Sequence, residues 1–204
     1  MKTKKSRADS VATERSSAAE RETREALLEA AFHRAVRFGW ARVRMGAVAG
    51  QAGVSRQTLY RHFQTKDGLA AAIALREQDA FLEGCRLAFQ EENTLYDGVV
   101  AAVAWSLKHA ESHPLIRQAI EDPESGLLPY ITTRALPLMQ RGRDLVATLI
   151  MDLDPTSEPE SVDLVADVLT RELFSHVITP SEPVDVVAAR LGTLAARIMD
   201  GGKE

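Results

Sequence analysis

Residues 55–62 bring together side chains that are able to contact nucleic acid. Arg and Gln form bidentate hydrogen bonds with the edges of guanine and adenine, respectively. Hydroxyl and ammonium groups contact phosphates, which fixes the position of a protein on DNA without reading its sequence. A helix that starts at Ser55 also presents backbone N–H groups that attract a phosphate. We therefore expect DNA contacts from Ser55, Arg56, Gln57, Thr58, Tyr60, Arg61, His62 and Lys66.

The same region contains the small and apolar residues that position such side chains. Two helices that meet at a steep angle need a small residue at their contact and a Gly in the turn, and Ala49 and Gly53 meet these needs. Val54, Leu59 and Phe63 are spaced to face a hydrophobic core, which leaves the polar side chains exposed. The pattern predicts a helix-turn-helix at residues 43–63. The alternative is a small helical hairpin whose charged face is only solvated.

Charge is distributed unevenly along the 204 residues, whose overall net charge is −4. Residues 1–66 contain 14 Lys and Arg against 6 Asp and Glu, a net charge of +8. Residues 67–204 contain the other 11 basic residues and 23 acidic ones, a net charge of −12. Basic residues also lie inside the predicted helices, for example Arg34, Arg37 and Arg42. The asymmetry favours a basic module that binds nucleic acid, joined to an acidic body.

Apolar residues recur at helical spacing through most of the chain, and no convincing strand pattern is present. The sequence predicts an all-α protein of about nine helices, with an N-terminal three-helix helix-turn-helix domain before a larger C-terminal helical domain. Residues 1–18 are polar and lack periodicity, so we expect a flexible basic arm there. The expected domains are residues 19–66 and residues 67–204. Ser55 is a predicted N-cap, and Thr94 with Asp97 resembles a capping box.

Residues 20–70 resemble the DNA-binding domain of the TetR family of regulators. The resemblance rests on Ala52-Gly53-Val54-Ser55, Thr58-Leu59-Tyr60-Arg61-His62-Phe63 and Lys66-Asp67-Gly68-Leu69, after a helix that ends in Phe38-Gly39-Trp40.

Three places depart from the family pattern. Val43-Arg44 replaces the usual Ser or Thr before the second helix, Ala47 replaces a frequent acidic residue, and Gln57 stands where Gly, Lys or Pro is more usual. We expect the missing cap to weaken the start of that helix by ~1 kcal/mol. Arg44 is expected to contact a phosphate instead, and Gln57 to alter the operator preference.

The resemblance implies a repressor that binds palindromic, double-stranded operator DNA and is released by a small-molecule effector. It also implies a C-terminal domain that holds the effector and forms a homodimer through its last two helices. These helices carry many apolar residues, and the same pair from a second subunit would cover them. The candidate interface residues are Val165, Leu169, Leu173, Val187, Leu191 and Leu194. The alternative is that these residues close the core of their own domain.

The region between about residues 85 and 145 mixes aromatic, His and Arg side chains, as ligand pockets do. The candidate pocket residues are Phe89, Trp105, His109, Tyr130, Met139 and Arg143. His109 and His113 have the spacing of two metal ligands on one helix face. Pro114 ends that helix, however, and no third ligand is evident, so we expect neither a metal nor a cofactor.

Other classes of protein have less support from the sequence. No phosphate-binding loop, metal cluster or nucleophile motif indicates an enzyme, and a DNA-binding activator or architectural regulator that needs no ligand is the alternative function. No apolar run approaches the ~20 residues that span a bilayer. The first 25 residues lack the apolar stretch of a signal peptide. We therefore expect a cytoplasmic protein without a membrane partner, in which the single Cys85 is a core residue.

Overall fold

The computed structural model describes the backbone of residues 2–201 and the side chains of residues 17–122 and 124–201. Within this range the fold is all-α, which confirms the predicted fold class, and it contains no strand. The α-helices, numbered α1 to α10 in chain order, are Lys2–Phe38, Met45–Gln51, Arg56–Phe63, Lys66–Gln90, Leu95–Ser112, Pro114–Glu121, Leu128–Ile131, Leu136–Leu153, Pro159–Ile178 and Val184–Gly201. Two 3₁₀ helices, Trp40–Arg42 and Pro123–Ser125, lie between them.

The chain divides into two compact units, Met1–Ile73 and Ala74–Glu204. The division falls inside α4, whereas the sequence places the domain boundary at 66/67, where α4 begins. The reason is that Leu69, Ala70 and Ile73 in the first turns of α4 are buried. A helix that starts in the first unit therefore continues into the second.

The backbone of α1 is helical from Lys2, within the segment 1–18 that the sequence predicts to be an irregular arm. This segment lacks an apolar stripe, but its Ala, Lys, Arg and Glu residues have high helix propensity. Helical periodicity of apolar residues misses a helix of this kind because it detects only the buried face. The buried part of α1 begins further along, at Leu27, Leu28 and Ala31.

In the second unit, α5 packs against α10 and α8 packs against α9. Capping residues set the ends of these helices: the Thr94 side chain accepts a hydrogen bond from the Asp97 N–H at 3.1 Å, as predicted. His113 ends α5 and caps α6, whose first residue is Pro114. The core of the unit is formed by apolar residues from α4, α5, α8, α9 and α10.

The six residues predicted to form the dimer interface lie in or against this core. Val165, Leu169, Val187 and Leu191 are buried within the single chain, and Leu173 and Leu194 pack against them. The four buried side chains have little surface left for a second subunit. Leu173 and Leu194 are half-buried, and the interface stays a prediction. The outward faces of α9 and α10 carry a different set of residues.

Candidate DNA-binding surface and ligand cavity

A tight turn joins α2 to α3 and fixes the direction in which α3 leaves. Gly53 has a φ of 69°, a left-handed conformation that favours glycine. The Val54 N–H donates to the Ala49 carbonyl at 3.0 Å, which closes the turn. Ser55 then caps α3, because its Oγ accepts a hydrogen bond from the Thr58 N–H at 3.0 Å. The predicted turn at Gly53 and the predicted N-cap at Ser55 are therefore confirmed, whereas a DNA contact from Ser55 stays a prediction.

The inner face of α3 is anchored by its apolar residues. Leu59 is 0% exposed and Phe63 is buried, as predicted, together with Val48 and Ala49 from α2. The Arg24 guanidinium lies 5.5 Å from the centre of the Phe63 ring, on the side of α1. These contacts fix the rotation of α3 about its axis, and so determine which of its side chains face solvent.

The outer face of α3 presents the polar side chains. Arg56, Gln57 and Arg61 are exposed, and Tyr60 is 48% exposed. Thr58 is half-buried and shares a 2.9 Å hydrogen bond between its hydroxyl and that of Ser55. The exposed residues form one surface with two guanidinium groups, an amide and a phenol, the combination that reads base edges and contacts phosphates.

Two of the predicted contact residues have surroundings that the sequence did not indicate. His62 is half-buried rather than fully exposed, and its Nε2 is a buried atom that has no hydrogen-bond partner. Lys66 donates from Nζ to the Ala41 carbonyl at 3.0 Å, and the same ammonium lies 5.3 Å from the centre of the Trp40 ring. Burial lowers the pKa of Lys66. An ammonium group has three N–H donors, and the bond to the Ala41 carbonyl uses one of them.

Arg44 occupies the N-cap position of α2, exposed and without a side-chain capping bond. The absence of this bond agrees with the expectation from the sequence, since Arg has no acceptor atom for the first backbone N–H groups. The Arg44 guanidinium therefore lies free of a capping bond beside the first N–H groups of α2, and both kinds of group attract phosphate.

Sequence analysis missed a contact that positions Arg56. A Cβ atom added to Gly46 in α2 would lie 2.7 Å from both Nε and Nη2 of Arg56, so the guanidinium occupies the space above this glycine. A Gly in the first turn of a helix is itself a signal of close approach. The Arg56 side chain therefore lies against α2, over Gly46.

Replacing Gly46 with Ala is expected to displace the Arg56 guanidinium and to weaken operator binding by about 5- to 150-fold, the range of one bidentate base contact. Gly50 in the same helix provides the matched control, because no atom lies within 4 Å of a Cβ added there. Fluorescence anisotropy with labelled operator measures both variants. Equal affinities for Gly46→Ala and Gly50→Ala would contradict a positioning role for Gly46.

The second unit contains an apolar cavity of about 70 Å³ between α4, α5, α8 and α9. Phenylalanine, leucine and valine side chains form most of its wall. The polar groups are Gln78, Cys85, Ser106 and Thr170, and none of the described residues that line it carries a formal charge. Burial raises the pKa of the Cys85 thiol, so this group is a neutral part of the wall at physiological pH.

The structure brings only some of the predicted pocket residues to this cavity. Phe89 lines it. Trp105 and His109 stack on each other with ring centres 4.8 Å apart, and both contact Phe81, which lines the cavity from α4. Burial is the larger cause that lowers the pKa of His109, followed by the charge of His113.

The other three candidates lie elsewhere. Tyr130 is buried and packs beneath Arg134. Met139 is half-buried and is not among the residues of the cavity wall. Arg143 forms an ion pair with Asp163 on the surface. The difference arises because spacing along a helix gives the face of a residue but not the helix opposite it.

Polar contacts hold the part of α4 that precedes the cavity. Glu77 pairs with His113 at 3.2 Å, and hydrogen bonds from His113 and Arg76 lower the pKa of Glu77 against the effect of burial. The Gln78 side chain donates to the Leu138 carbonyl at 2.6 Å. Arg141 donates to the Leu75 carbonyl at 3.2 Å and pairs with Asp79. We call Gln78 and Arg141, with the carbonyls of Leu75 and Leu138, the α4 clamp.

A second concavity, of about 210 Å³, lies between α5, α6, α9 and the start of α10. Its rim carries Glu111, Glu121 and Glu182 with Arg117 and His176, over an apolar floor. Glu121 already pairs with Arg117, and Glu182 with Arg190. One pair of charged groups thus lies within this concavity, and Glu182 is paired with an arginine outside its lining.

Metal clusters and membrane-spanning helices are both absent from the part of the chain that the structure describes. No group of three or more His, Cys, Asp or Glu side chains there is arranged to hold a metal ion. None of the described helices combines the length and hydrophobicity needed to cross a bilayer.

Comparison with known proteins relates both units to characterised families. Residues 27–73 match the model for "Bacterial regulatory proteins, tetR family", and residues 95–197 match that for "Bacterial Tetracyclin repressor, C-terminal domain". The chain is 26% identical over 157 residues to the HTH-type transcriptional regulator AlkX of Mycobacterium tuberculosis, which covers 76% of this chain and 74% of that protein.

Solved structures show the same fold. The crystal structure of the TetR family repressor AlkX from a Dietzia strain, implicated in biodegradation of n-alkanes, matches with a TM-score of 0.72 and 28% identity over 87% of this chain and 95% of that one. FadR from Bacillus subtilis in complex with stearoyl-CoA matches with a TM-score of 0.53 and 16% identity over 84% and 96% of the two chains. At this identity the second likeness concerns the fold alone.

Proposed function

The chain belongs to the TetR family of bacterial regulatory proteins, and from this membership we propose that it represses transcription by occupying a palindromic operator until a small effector releases it. Regulators of this family bind operator DNA, form dimers and bind small-molecule effectors. The observation that carries the proposal is the outer face of α3, where Arg56, Gln57, Tyr60 and Arg61 are exposed on a helix whose start and rotation are fixed. We place the protein in the cytoplasm, where bacterial operators lie.

In the proposed complex, α3 lies in the major groove. Gln57 and Arg61, with Arg56 held against Gly46, read base edges through their amide and guanidinium groups. Tyr60, Arg44 and the N-terminus of α3 contact phosphates and set the position of the helix on the duplex. The basic charge of residues 1–66 supplies the attraction that makes the affinity depend on salt.

We also propose a homodimer, because a two-fold axis places two recognition helices on the two halves of a palindrome. We base this dimer on the outward faces of α9 and α10, and not on the buried core residues of the same helices. Leu164 is 51% exposed on α9, Val186 is 41% exposed on α10, and Val168 is half-buried beside Leu164 along the same helix face. Apolar exposure of this kind on neighbouring helices is typical of an interface that a second copy covers.

The effector is proposed to bind in the cavity of the second unit. The wall that α4 contributes includes Gln78, Phe81 and Cys85, and α4 is continuous back to Lys66 after the recognition helix. A ligand that presses on this wall therefore moves a helix that also belongs to the DNA-binding unit. An effector that binds the DNA-free conformation more tightly by only about 1–3 kcal/mol changes operator affinity roughly 5- to 150-fold.

The apolar wall of the cavity favours an effector that is mainly hydrocarbon. This agrees with the Dietzia repressor, which is implicated in biodegradation of n-alkanes. We propose that this chain likewise responds to a compound derived from a hydrocarbon. A catalytic role has no support from the family, whose members are transcriptional regulators.

Selection of bound fragments from genomic DNA at low salt tests the function and supplies the operator. We expect enrichment of a palindromic site. Against that site, Gln57→Ala is expected to relax discrimination at particular base pairs, whereas Tyr60→Phe is expected to weaken binding to all sequences alike. Failure to enrich any DNA would overturn the proposed function. An unchanged base preference in Gln57→Ala would contradict the proposal that Gln57 recognises bases.

A further inference from the structure

One polar atom in the wall of the cavity has no hydrogen-bond partner among the residues that the structure describes. Thr170 is 5% exposed, lines the cavity from α9, and its Oγ1 is buried without a hydrogen bond. A buried hydroxyl that forms no hydrogen bond costs about 1–3 kcal/mol. Atoms of this kind are rare in folded proteins, and an unfilled binding function is one of their causes.

The remaining polar side chains of the wall are already engaged. The Ser106 hydroxyl contacts the Cys85 sulfur at 3.6 Å. Gln78 donates to the Leu138 carbonyl and accepts from Arg141 at 3.4 Å, as part of the α4 clamp. Among the described residues of the wall, the Thr170 hydroxyl is therefore the buried polar group that a ligand finds without a hydrogen bond.

The same wall excludes ligands with a formal charge. None of the described residues that line the cavity is ionised, and the nearby cation Arg143 is paired with Asp163 on the surface. Moving a carboxylate or an ammonium group from water into such a site without a counter-ion is strongly unfavourable. An uncharged hydroxyl or carbonyl oxygen carries no such penalty when Thr170 bonds to it.

We propose that the cavity binds an uncharged, mainly hydrocarbon molecule with one oxygen, an aliphatic alcohol being the simplest case, whose oxygen bonds to Thr170 Oγ1. This inference rests on the proposed function and narrows the class of effector. The cavity of about 70 Å³ is small, which favours a short hydrocarbon chain over a long one.

Four six-carbon probes separate the possible chemistries: 1-hexanol, hexane, hexanoate and hexylamine. Calorimetric titration of the full chain is expected to show binding of 1-hexanol, weaker binding of hexane, and none of either charged probe. Thr170→Val, which keeps the shape of the side chain, should lower the affinity for 1-hexanol by roughly 3- to 10-fold, the value of one net hydrogen bond. The same substitution should leave the affinity for hexane unchanged or raise it.

Gly142→Ala gives a second variant that tests the same contact. A Cβ atom added to Gly142 would lie 3.3 Å from Thr170 Cγ2 and 3.7 Å from its Oγ1, so the new methyl group covers the hydroxyl. We expect weaker binding of 1-hexanol in a folded protein, because Ala favours a helix more than Gly does. Thr148→Val is the control, because Thr148 is exposed on α8 outside the cavity wall and its hydroxyl already bonds to the Asp144 carbonyl at 2.8 Å. The affinity of this variant for 1-hexanol should stay within twofold of the parent.

Each contrary result removes a stated part of the proposal. Equal binding of hexanoate and 1-hexanol would overturn the requirement for an uncharged ligand. Unchanged 1-hexanol binding in both Thr170→Val and Gly142→Ala would overturn the role of Thr170. Absence of 1-hexanol binding in a chain that still binds its operator would overturn the ligand class alone, whereas absence of operator binding is the failure of the proposed function.

Discussion

Replacing Leu59 with Ala is expected to destabilise the DNA-binding unit strongly and to weaken operator binding as a result. Leu59 is fully buried on the inner face of α3, and removal of a buried Leu side chain costs about 2–5 kcal/mol. Single domains are stable by only about 5–15 kcal/mol. Circular dichroism during thermal unfolding, combined with anisotropy against labelled operator, measures both consequences in the same sample.

The neighbouring residue supplies the matched control. Tyr60 follows Leu59 along α3 but is exposed, so Tyr60→Ala should weaken DNA binding while leaving the unfolding transition close to that of the parent. Two results would contradict this division of α3 into an inner and an outer face: a Leu59→Ala variant with parental stability, or a Tyr60→Ala variant that unfolds as readily as Leu59→Ala.

Replacing Gly84 with Ala is expected to disrupt the contact between α4 and α5. An added Cβ atom would stand 2.7 Å from Cε2 of the Trp105 ring and overlap Cζ2 and Cη2. The ring cannot move away freely, because it stacks on His109 and contacts Phe81 edge-on. Overpacking of this kind costs about 1–3 kcal/mol, which corresponds to a fall of roughly 2–12 °C in Tm for a chain of this size.

Differential scanning calorimetry measures this fall, and the near-ultraviolet circular dichroism of Trp105 should change with it. Gly50→Ala is the comparison, because it makes the same substitution in a helix where nothing lies within 4 Å. The removal of a helical Gly should leave that variant as stable as the parent or slightly more so. A Gly84→Ala variant that matches Gly50→Ala in Tm would contradict the close approach of α4 to Trp105.

The DNA-binding unit could be predicted from the sequence in some detail because its determinants are local. The turn at Gly53, the cap at Ser55 and the buried positions Leu59 and Phe63 depend on residues within a few positions of one another. Spacing along a single helix then decides which side chains remain outside. The same local rules do not indicate which side chain another element contacts, and so they missed Lys66 on Ala41 and Arg56 on Gly46.

The second unit shows the opposite case. Its cavity is built from residues of α4, α5, α8 and α9. The hydroxyl without a hydrogen bond belongs to Thr170, and nothing in the sequence distinguishes this threonine from others in apolar helices. An apolar stripe such as that of Val165 and Leu169 suits a domain core and a subunit interface equally well, since both exclude water. Only the arrangement of all the helices decides between them, and here it buries these residues within one chain.

The α4 clamp has a consequence for how this regulator can change over generations. Two of its acceptors are backbone carbonyls, those of Leu75 and Leu138, which every amino acid supplies. Drift at those two positions therefore leaves the hydrogen bonds in place, provided that Gln78 and Arg141 persist. Under the proposed function, mutations elsewhere in the cavity wall would alter which compound is recognised while α4 keeps its attachment. Ligand preference and the coupling through α4 would then diverge separately.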